Sequence, residues 1–163
     1  MAARLGCIGG VGASVLLEQC AFDARRIGPV ETPFGPSGSV YECGAQDGFY
    51  FIPRHGETGY EVSSSFVNYR ANIYALKDLG VEAVVAWSAV RAISHNFRIG
   101  QFVIISDVID ETWRRPNTFF ENQGLGSIRQ WPVFCPELRR LLGEALDTRK
   151  AYYKDEAVYL CTE

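Results

Sequence analysis

Three short segments of the sequence carry groups that bind oxyanions. They are the glycine turn Gly9–Gly12, the pair Arg54 and His55, and the pair Ser88 and Ala89. Glycines let backbone amides approach an anion closely, an arginine can bind one through two parallel hydrogen bonds, and a neighbouring histidine adds a donor. A serine hydroxyl and the amide after it could complete the cage. Together these groups match the oxygens of a tetrahedral anion such as phosphate or sulfate.

Each segment taken singly also has an ordinary structural interpretation. Glycine turns after strands are common, Arg54 could form a surface salt bridge beside a structural His55, and Ser88 could cap a loop. The glycine turn lacks the lysine of a P-loop and the full spacing of a dinucleotide fingerprint, so both of those sites are excluded. Each segment follows a predicted strand, however, and open α/β sheets bring strand ends into one crevice. The sequence therefore predicts one anion site formed by all three segments.

Other titratable residues give weaker signals. Glu57 and Glu61 follow His55 and are interpreted as acid–base groups or, more simply, as solvated loop carboxylates. His95 has no nearby cysteine or histidine partner, so we expect no metal site. The cysteines are odd in number and never spaced as CxxC, which is typical of reduced thiols in a cytosolic protein, each acting as a small buried hydrophobe. They are Cys7, Cys20, Cys43, Cys135 and Cys161.

The strands that must position these segments are short and apolar. They are predicted at Arg4–Gly9, Ser39–Cys43, Phe49–Pro53, Val81–Ser88, Gln101–Asp107 and Ala157–Cys161. The run VEAVVAWS at Val81–Ser88 is nearly continuous in apolar residues, which predicts a strand covered on both faces. The last strand ends two residues before Glu163, at the kind of strand end where α/β proteins form ligand sites. We expect either that the natural chain ends there or that more protein follows.

Predicted helices alternate with these strands. One covers Ala13–Cys20 after the glycine turn, and another covers Ser63–Leu79. The serines at the start of the second helix offer capping hydroxyls, and Gly80 lies where a C-cap is expected. A third helix contains Leu138–Leu146, with a proline near its start. The alternation of strand and helix predicts an α/β sheet with short crossovers.

The composition limits the class of protein. The chain has 163 residues, of which 47% are hydrophobic and 13% aromatic, enough to form the core of one domain and too many for a disordered tail. Its net charge of -3 argues against a nucleic-acid partner, which would favour a basic chain. The apolar runs are too short for a membrane span, and the N-terminus lacks the apolar stretch of a signal peptide.

Several longer stretches resemble the methylthioadenosine phosphorylase and purine nucleoside phosphorylase family. They run in family order and cover essentially the whole chain, and the VNYRAN and ID-T-RP-TFF patterns are the most specific. The matching stretches are Ile8–Gly12, Val30–Gly38, Pro53–Gly56, Val67–Val81, Ile99–Phe120, Phe134–Pro136 and Cys161–Glu163.

The resemblance implies a fold and a reaction. The fold would be α/β, a mixed twisted sheet flanked by helices, with residues 1–163 forming a single nucleoside-phosphorylase-like domain that is incomplete at its C-terminus. The family is a class of pentosyltransferases of purine salvage, usually homotrimers, in which inorganic phosphate cleaves the N-glycosidic bond of a purine nucleoside such as methylthioadenosine. The products would be the free purine and (methylthio)ribose 1-phosphate. We expect a cytoplasmic protein that uses phosphate as co-substrate, without a cofactor, metal, nucleic acid or membrane.

The resemblance also assigns site residues by position. The implied phosphate ligands are Gly10, Val11, Arg54, His55, Ser88 and Ala89. The chain departs from the family at Val11, where a serine or threonine is usual, and at Arg91, where a closely packed glycine is usual. The loop GETGYEVSSSF after His55 is one residue longer and lacks the family's second histidine and proline, and Ser127 lies near the place of another family histidine.

The family's purine-binding and proton-donating segments lie beyond its CTE motif, so catalytic residues in this chain are unknown. We expect the 163 residues to supply the phosphate-binding half and to be inactive alone, with a C-terminal part or a complementing polypeptide supplying the rest. One alternative is a non-catalytic subunit that binds an anion or only oligomerises, which Val11 and Arg91 favour. Another is a glycosidase that uses water, against which Arg54 and His55 argue. Aromatic residues such as Trp113 and Trp131 could form a subunit contact or an ordinary core.

Overall fold

The computed structural model describes residues 4–18, 23–44, 48–121, 123–124 and 127–163. Contacts within the chain group into two compact units, Met1–Val90 and Arg91–Glu163, and each is described by itself. The elements in chain order are β1 (Leu5–Gly9), α1 (Val15–Glu18), β2 (Ala24–Gly28), β3 (Glu31–Thr32), β4 (Gly35–Pro36), β5 (Val40–Cys43), β6 (Phe49–Pro53), a 3₁₀ helix (Ser64–Phe66), α2 (Tyr69–Asp78), β7 (Ala83–Trp87), β8 (Phe102–Asp110), α3 (Pro136–Thr148) and β9 (Tyr153–Cys161).

The first unit is built on a mixed five-stranded sheet with the strand order β2-β5-β6-β1-β7. The strand β1 runs parallel to both β6 and β7, whereas β5 pairs antiparallel with β6 and β2 antiparallel with β5. At the carboxyl end of β1, Gly9 lies in register with Pro53 on one side and Trp87 on the other. The predicted mixed α/β sheet is confirmed, and its register places three strand ends side by side.

Both faces of this sheet are covered at the strands β5 and β6, whose side chains alternate between the two faces. One face buries Tyr41 and Phe51 with Ala13 from the turn before α1. The other buries Tyr50 and Ile52 and packs them against Leu76 of α2. The carboxyl ends of β1 and β6 therefore rest on a packed core.

The helix predicted over Ser63–Leu79 is wrong in its first third. The serines form a separate 3₁₀ turn, and α2 begins at Tyr69 with Asn68 as its N-cap. The Asn68 side chain accepts a hydrogen bond from the backbone N–H of Ala71 at 3.2 Å, which is the usual role of an asparagine cap. The expected stop is present, because Gly80 has a φ of +78°, a conformation that favours glycine.

Two further predictions from the sequence are corrected. The strand β7 is an edge strand of its sheet, and its last residues Ala86 and Trp87 are exposed, so it is not covered on both faces. The helix predicted over Ala13–Cys20 is confined to α1 among the described residues, and residues 19–22 lie outside them. The strand β2 was not predicted, because two of the five residues in its sequence ARRIG are charged, and four of the five are exposed in the structure.

The second unit pairs the parallel strands β8 and β9 and packs α3 beside them. Pro136 occupies the first turn of α3, as predicted. A Cβ atom added to Gly143 would lie 3.2 Å from the Tyr153 hydroxyl oxygen, so glycine allows the helix to approach β9 closely. Among the described residues of this unit, Ile104 and Gly143 are the buried ones. The described helices include none that is long and apolar enough to span a membrane.

Candidate anion site at the carboxyl ends of three strands

Backbone hydrogen bonds join the three segments that follow β1, β6 and β7. The Arg54 N–H donates to the Gly9 carbonyl oxygen at 3.0 Å, and the Gly10 N–H donates to the Trp87 carbonyl oxygen at 2.8 Å. These bonds continue the parallel ladders one step beyond the strands. The glycine turn, the Arg54–His55 pair and Ser88 are therefore neighbours, as the sequence predicts.

The Arg54 side chain links the second segment to the third. Its Nη2 donates to the Ser88 Oγ at 3.0 Å, and its Nε donates to the His55 Nε2 at 3.1 Å. Within the described part of the chain, Arg54 forms no ion pair with a carboxylate. Arg54 therefore does not form the surface salt bridge with a described residue that was its alternative interpretation. A half-buried guanidinium with neutral partners retains its attraction for an anion.

Gly10 is required by the close approach of the first segment to the third. A Cβ atom at this position would lie 2.7 Å from the Ser88 Oγ and 3.0 Å from the Ser88 Cα. Real Cβ atoms essentially never approach another atom as closely as the first distance, and the second is tighter than most real contacts, so a larger residue would push Ser88 away. The Ser88 hydroxyl in turn faces the Ala89 carbonyl oxygen at 3.3 Å.

His55 is buried, with 7% of its surface exposed. Its Nδ1 lies 2.8 Å from the Val62 carbonyl oxygen, while its Nε2 faces Arg54. The backbone closes the same loop, because the His55 carbonyl oxygen accepts hydrogen bonds from Glu61 and Val62. The contact with Val62 was not predicted, since a backbone carbonyl seven residues away leaves no signal in the sequence.

The two carboxylates near His55 have structural partners. The Glu57 Oε1 accepts hydrogen bonds from the Arg26 Nε at 2.8 Å and the Ser39 Oγ at 2.6 Å, and these bonds lower the pKa of Glu57. The Glu61 Oε1 accepts from the Thr58 N–H at 2.9 Å. These bonds hold the loop and favour the interpretation as loop carboxylates over acid–base groups.

An open cavity of about 320 Å³ lies beside His55. Its lining includes Val11, Tyr60 and Val62, which are apolar or aromatic, and the hydroxyl-bearing Ser63 and Ser64. Val11 is 47% exposed and contributes an isopropyl group where a hydroxyl was expected from the family pattern. Arg91 is exposed, so its side chain needs no space in a packed interior.

The structure thus brings Gly10, Arg54 and Ser88 together, with His55 bonded to the arginine. Val11 is adjacent in the turn, and Ala89 follows Ser88 and is exposed. Phosphate binding by these residues stays a prediction. Among the described residues, no group of three or more histidine, cysteine, aspartate or glutamate side chains is arranged to hold a metal ion.

Known proteins of one superfamily are similar to this chain over nearly its whole length. The model of the phosphorylase superfamily matches residues 4–163. The chain is 36% identical over 162 residues to S-methyl-5'-thioadenosine phosphorylase of Pyrococcus furiosus, a match covering 98% of this chain and 61% of the relative. It is 32% identical to 6-oxopurine nucleoside phosphorylase of the same organism, over 98% of this chain and 61% of that relative.

Solved structures give the same relationship. A methylthioadenosine phosphorylase from an Antarctic soil metagenomic library matches with a TM-score of 0.85 and 33% identity, covering 99% of this chain and 57% of that one. The Schistosoma mansoni methylthioadenosine phosphorylase in complex with adenine matches with a TM-score of 0.86 and 27% identity, over 99% of this chain and 65% of that one. The chain spans about three fifths of the length of these proteins, and it belongs to the phosphorylase superfamily, within the family of methylthioadenosine and purine nucleoside phosphorylases.

Proposed function

We propose that this chain supplies the phosphate-binding part of a purine nucleoside phosphorylase of the methylthioadenosine type. The observation that carries the proposal is the convergence of Gly10, Arg54 and Ser88 at the ends of three parallel strands. The relatives named methylthioadenosine and 6-oxopurine nucleoside phosphorylases support a purine nucleoside as the second substrate. The reaction is the transfer of a pentosyl group from a purine to phosphate.

The proposed reaction requires a site that holds phosphate. A phosphate oxygen attacks the anomeric carbon, the N-glycosidic bond breaks, and its electron pair leaves with the purine. The transition state resembles an oxocarbenium ion, which a fixed phosphate dianion stabilises by its charge. Arg54 holds the phosphate in place, and holding the nucleophile lowers the entropic part of the barrier. The backbone amides of Val11 and Ala89 and the Ser88 hydroxyl are the further ligands we propose. Phosphate acts as co-substrate, and the proposed chemistry uses no cofactor.

The proposal extends to partners and location. We propose a cytoplasmic homo-oligomer, a trimer as the family pattern suggests, in which purine recognition comes from protein outside these 163 residues. The cavity beside His55 adjoins the phosphate-binding residues and supports a sugar position there. Which nucleoside is the substrate then depends on those purine contacts.

The first test follows thermal stability while phosphate is added. A ligand that binds the folded state alone stabilises it by about 2.7 kcal/mol at a hundredfold excess over Kd, which raises the Tm by several degrees. Arg54→Ala should lose this shift, because it removes the charged ligand. Arg25→Ala is the matched control, since it removes an exposed arginine of β2, the edge strand opposite to β7 in the same sheet, and should keep the shift. An equal shift in R54A would contradict the assignment of Arg54, and no shift in the unmodified chain at millimolar phosphate would contradict the site.

The second test is phosphorolysis itself. We expect a polypeptide of these 163 residues to release no purine from methylthioadenosine or inosine in phosphate buffer, because it spans 61% of its enzymatic relatives. Chromatography of the reaction mixture measures the purine directly. Purine release at a rate that depends on phosphate would show that the complete reaction resides in this chain.

A second candidate function is a non-catalytic subunit that binds an anion or only oligomerises. Val11 favours it, since an exposed valine side chain replaces the hydroxyl that would contact phosphate. Val11→Thr distinguishes the two: a restored hydroxyl should strengthen phosphate binding several-fold if the turn faces the anion. Unchanged binding would favour the non-catalytic subunit.

A further inference from the structure

The two ring nitrogens of His55 have partners that fix its chemical state. The Val62 carbonyl oxygen can only accept, so the Nδ1 facing it at 2.8 Å must carry a proton. The Nε of Arg54 always carries a proton, so the Nε2 of His55 that faces it at 3.1 Å must be an acceptor. Both contacts together require a neutral imidazole protonated on Nδ1.

This state conflicts with a role as anion donor. To donate to a phosphate oxygen, the ring would need a proton on Nε2. That proton would face the Arg54 Nε–H, and the contact between the two side chains would be lost. The imidazolium form carries protons on both ring nitrogens, so its Nε2 could not accept from the Arg54 Nε–H either.

We propose that the imidazole of His55 is a positioning residue, which holds the Arg54 guanidinium in place by accepting from its Nε and does not itself contact the anion. The proposal rests on the proposed function, because the guanidinium it positions is the predicted phosphate ligand. It differs from the expectation from sequence, in which the histidine side chain adds a donor to the cage.

A chain of hydrogen bonds from Val62 to Ser88 holds the Arg54 side chain in position. The Val62 carbonyl oxygen sets the rotation of the ring, and the Val62 N–H donates back to the His55 carbonyl oxygen at 3.2 Å. The ring then holds the Nε edge of Arg54, and Nη2 is held by the Ser88 Oγ at 3.0 Å. With its orientation fixed at two points, the guanidinium loses less freedom when an anion binds to its remaining N–H groups.

Nitrogen-15 NMR of the imidazole tests the tautomer directly. The chain has two histidines, so His95→Gln leaves His55 as the single source of imidazole signals. His95 is exposed, so its replacement should leave the fold intact. We expect, at neutral pH, a neutral ring with the proton on Nδ1, both without an anion and with saturating sulfate. A proton on Nε2, an imidazolium, or a switch to either on adding sulfate would overturn the proposal.

Sulfate binding to variants tests whether His55 acts through Arg54. Sulfate is suited as probe because it remains a dianion near neutral pH. His55→Gln places an amide oxygen where Nε2 lies and should bind sulfate within about threefold of the unmodified chain, whereas His55→Met lacks an acceptor and should bind about tenfold more weakly or worse. In an R54K background, which removes the Nε–H, H55Q and H55M should bind alike, since residues that act as a unit are not additive. An equal loss from H55M in both backgrounds would show that His55 contacts the anion itself.

The two proposals fail in different ways. If neither phosphate nor sulfate binds the unmodified chain, the proposed function is wrong. The NMR measurement without anion still decides the tautomer of His55 and its contact with Arg54 in that case. If anions bind but the ring is protonated on Nε2, the phosphate site stands and the positioning role is overturned. Circular dichroism of each variant checks that it is folded. If H55M is not folded, sulfate binding by H55Q can still be compared with that of the unmodified chain.

Discussion

At the scale of single residues, burial changes the chemistry of two thiols in the first unit. Cys43 is fully buried and Cys7 is half-buried beside it on the same side of the sheet. Burial, and to a lesser degree the neighbouring Cys43, raises the pKa of Cys7 to about 11, and burial also raises the pKa of Cys43. Both are free and act as small hydrophobes, as predicted, whereas Cys135 is exposed and Cys20 lies outside the described residues.

The raised pKa of Cys7 predicts a loss of stability at high pH. A thiol whose pKa is higher when folded stabilises the protein below its unfolded value near 9.0, and that contribution is lost as the pH rises towards about 11. The free energy of unfolding in urea should therefore fall between these pH values, by at most about 1.4 kcal/mol per pH unit for one proton. Cys7→Ala should reduce this slope and Cys135→Ala should leave it unchanged. An equal slope in C7A and the unmodified chain would contradict the burial of Cys7.

At the scale of elements, two asparagines of the α2 region attach the β3–β4 hairpin and the segment that follows it to this helix. Asn68 caps α2 and donates through Nδ2 to the Phe34 carbonyl oxygen at 2.8 Å. One turn later, the buried Asn72 accepts from the Gly38 N–H at 2.8 Å. The Arg70 guanidinium lies 4.9 Å from the centre of the Phe34 ring. These contacts hold the VNYRAN stretch against the VETPFGPSG stretch.

Substitutions of Asn68 separate the capping bond that its Oδ1 accepts from the bonds that its Nδ2 donates to the hairpin. Asn68→Ala removes the cap and the bond to the hairpin, and should lower the free energy of unfolding by about 1–2 kcal/mol. Asn68→Asp keeps the capping oxygen and loses the Nδ2 donor, so it should recover part of that loss. Lys77→Ala, at an exposed position of the same helix, should stay within about 0.5 kcal/mol of the unmodified chain. Urea unfolding measures all three, and an N68A variant as stable as K77A would contradict the role of the cap.

At the scale of the whole molecule, many large apolar side chains remain in contact with solvent. In the second unit, Ile93, Trp113 and Trp131 are 79%, 74% and 78% exposed. In the first unit, Tyr60 and Phe66 are 82% and 83% exposed. Extensive apolar surface of this kind is typical of proteins that associate. Of the two interpretations of Trp113 and Trp131, exposure favours a contact with further protein over an ordinary core.

This surface predicts self-association of the chain. We expect sedimentation equilibrium at micromolar concentration to give a mass well above the 18.2 kDa of one chain, and a threefold mass would agree with the proposed trimer. Mild detergent, which covers apolar surface, should shift the mass towards the monomer. A monomer throughout the micromolar range without detergent would contradict association through these residues.

The sequence determined the elements whose signals are local. The bounds of β6 agree with the prediction, and those of β1 differ by one residue, because both are apolar runs ended by glycine or a proline. The end of α2 at Gly80 and the start of α3 at Pro136 follow from backbone preferences of single residues. The beginning of α2 was placed too early, because a serine hydroxyl signals a cap equally well whether or not its bond forms.

For the anion site, the sequence determined the residue types and the strands that carry them. Tertiary structure alone decided that Arg54 reaches Ser88, that Gly10 must be small to accommodate that serine, and that His55 faces Arg54 with its acceptor nitrogen. The first two relations depend on a parallel register that joins residues 34 or more positions apart. Hydrogen bonds between residues so far apart in the sequence are set by the packing of the whole sheet, so the residues beside each partner in the chain do not predict them.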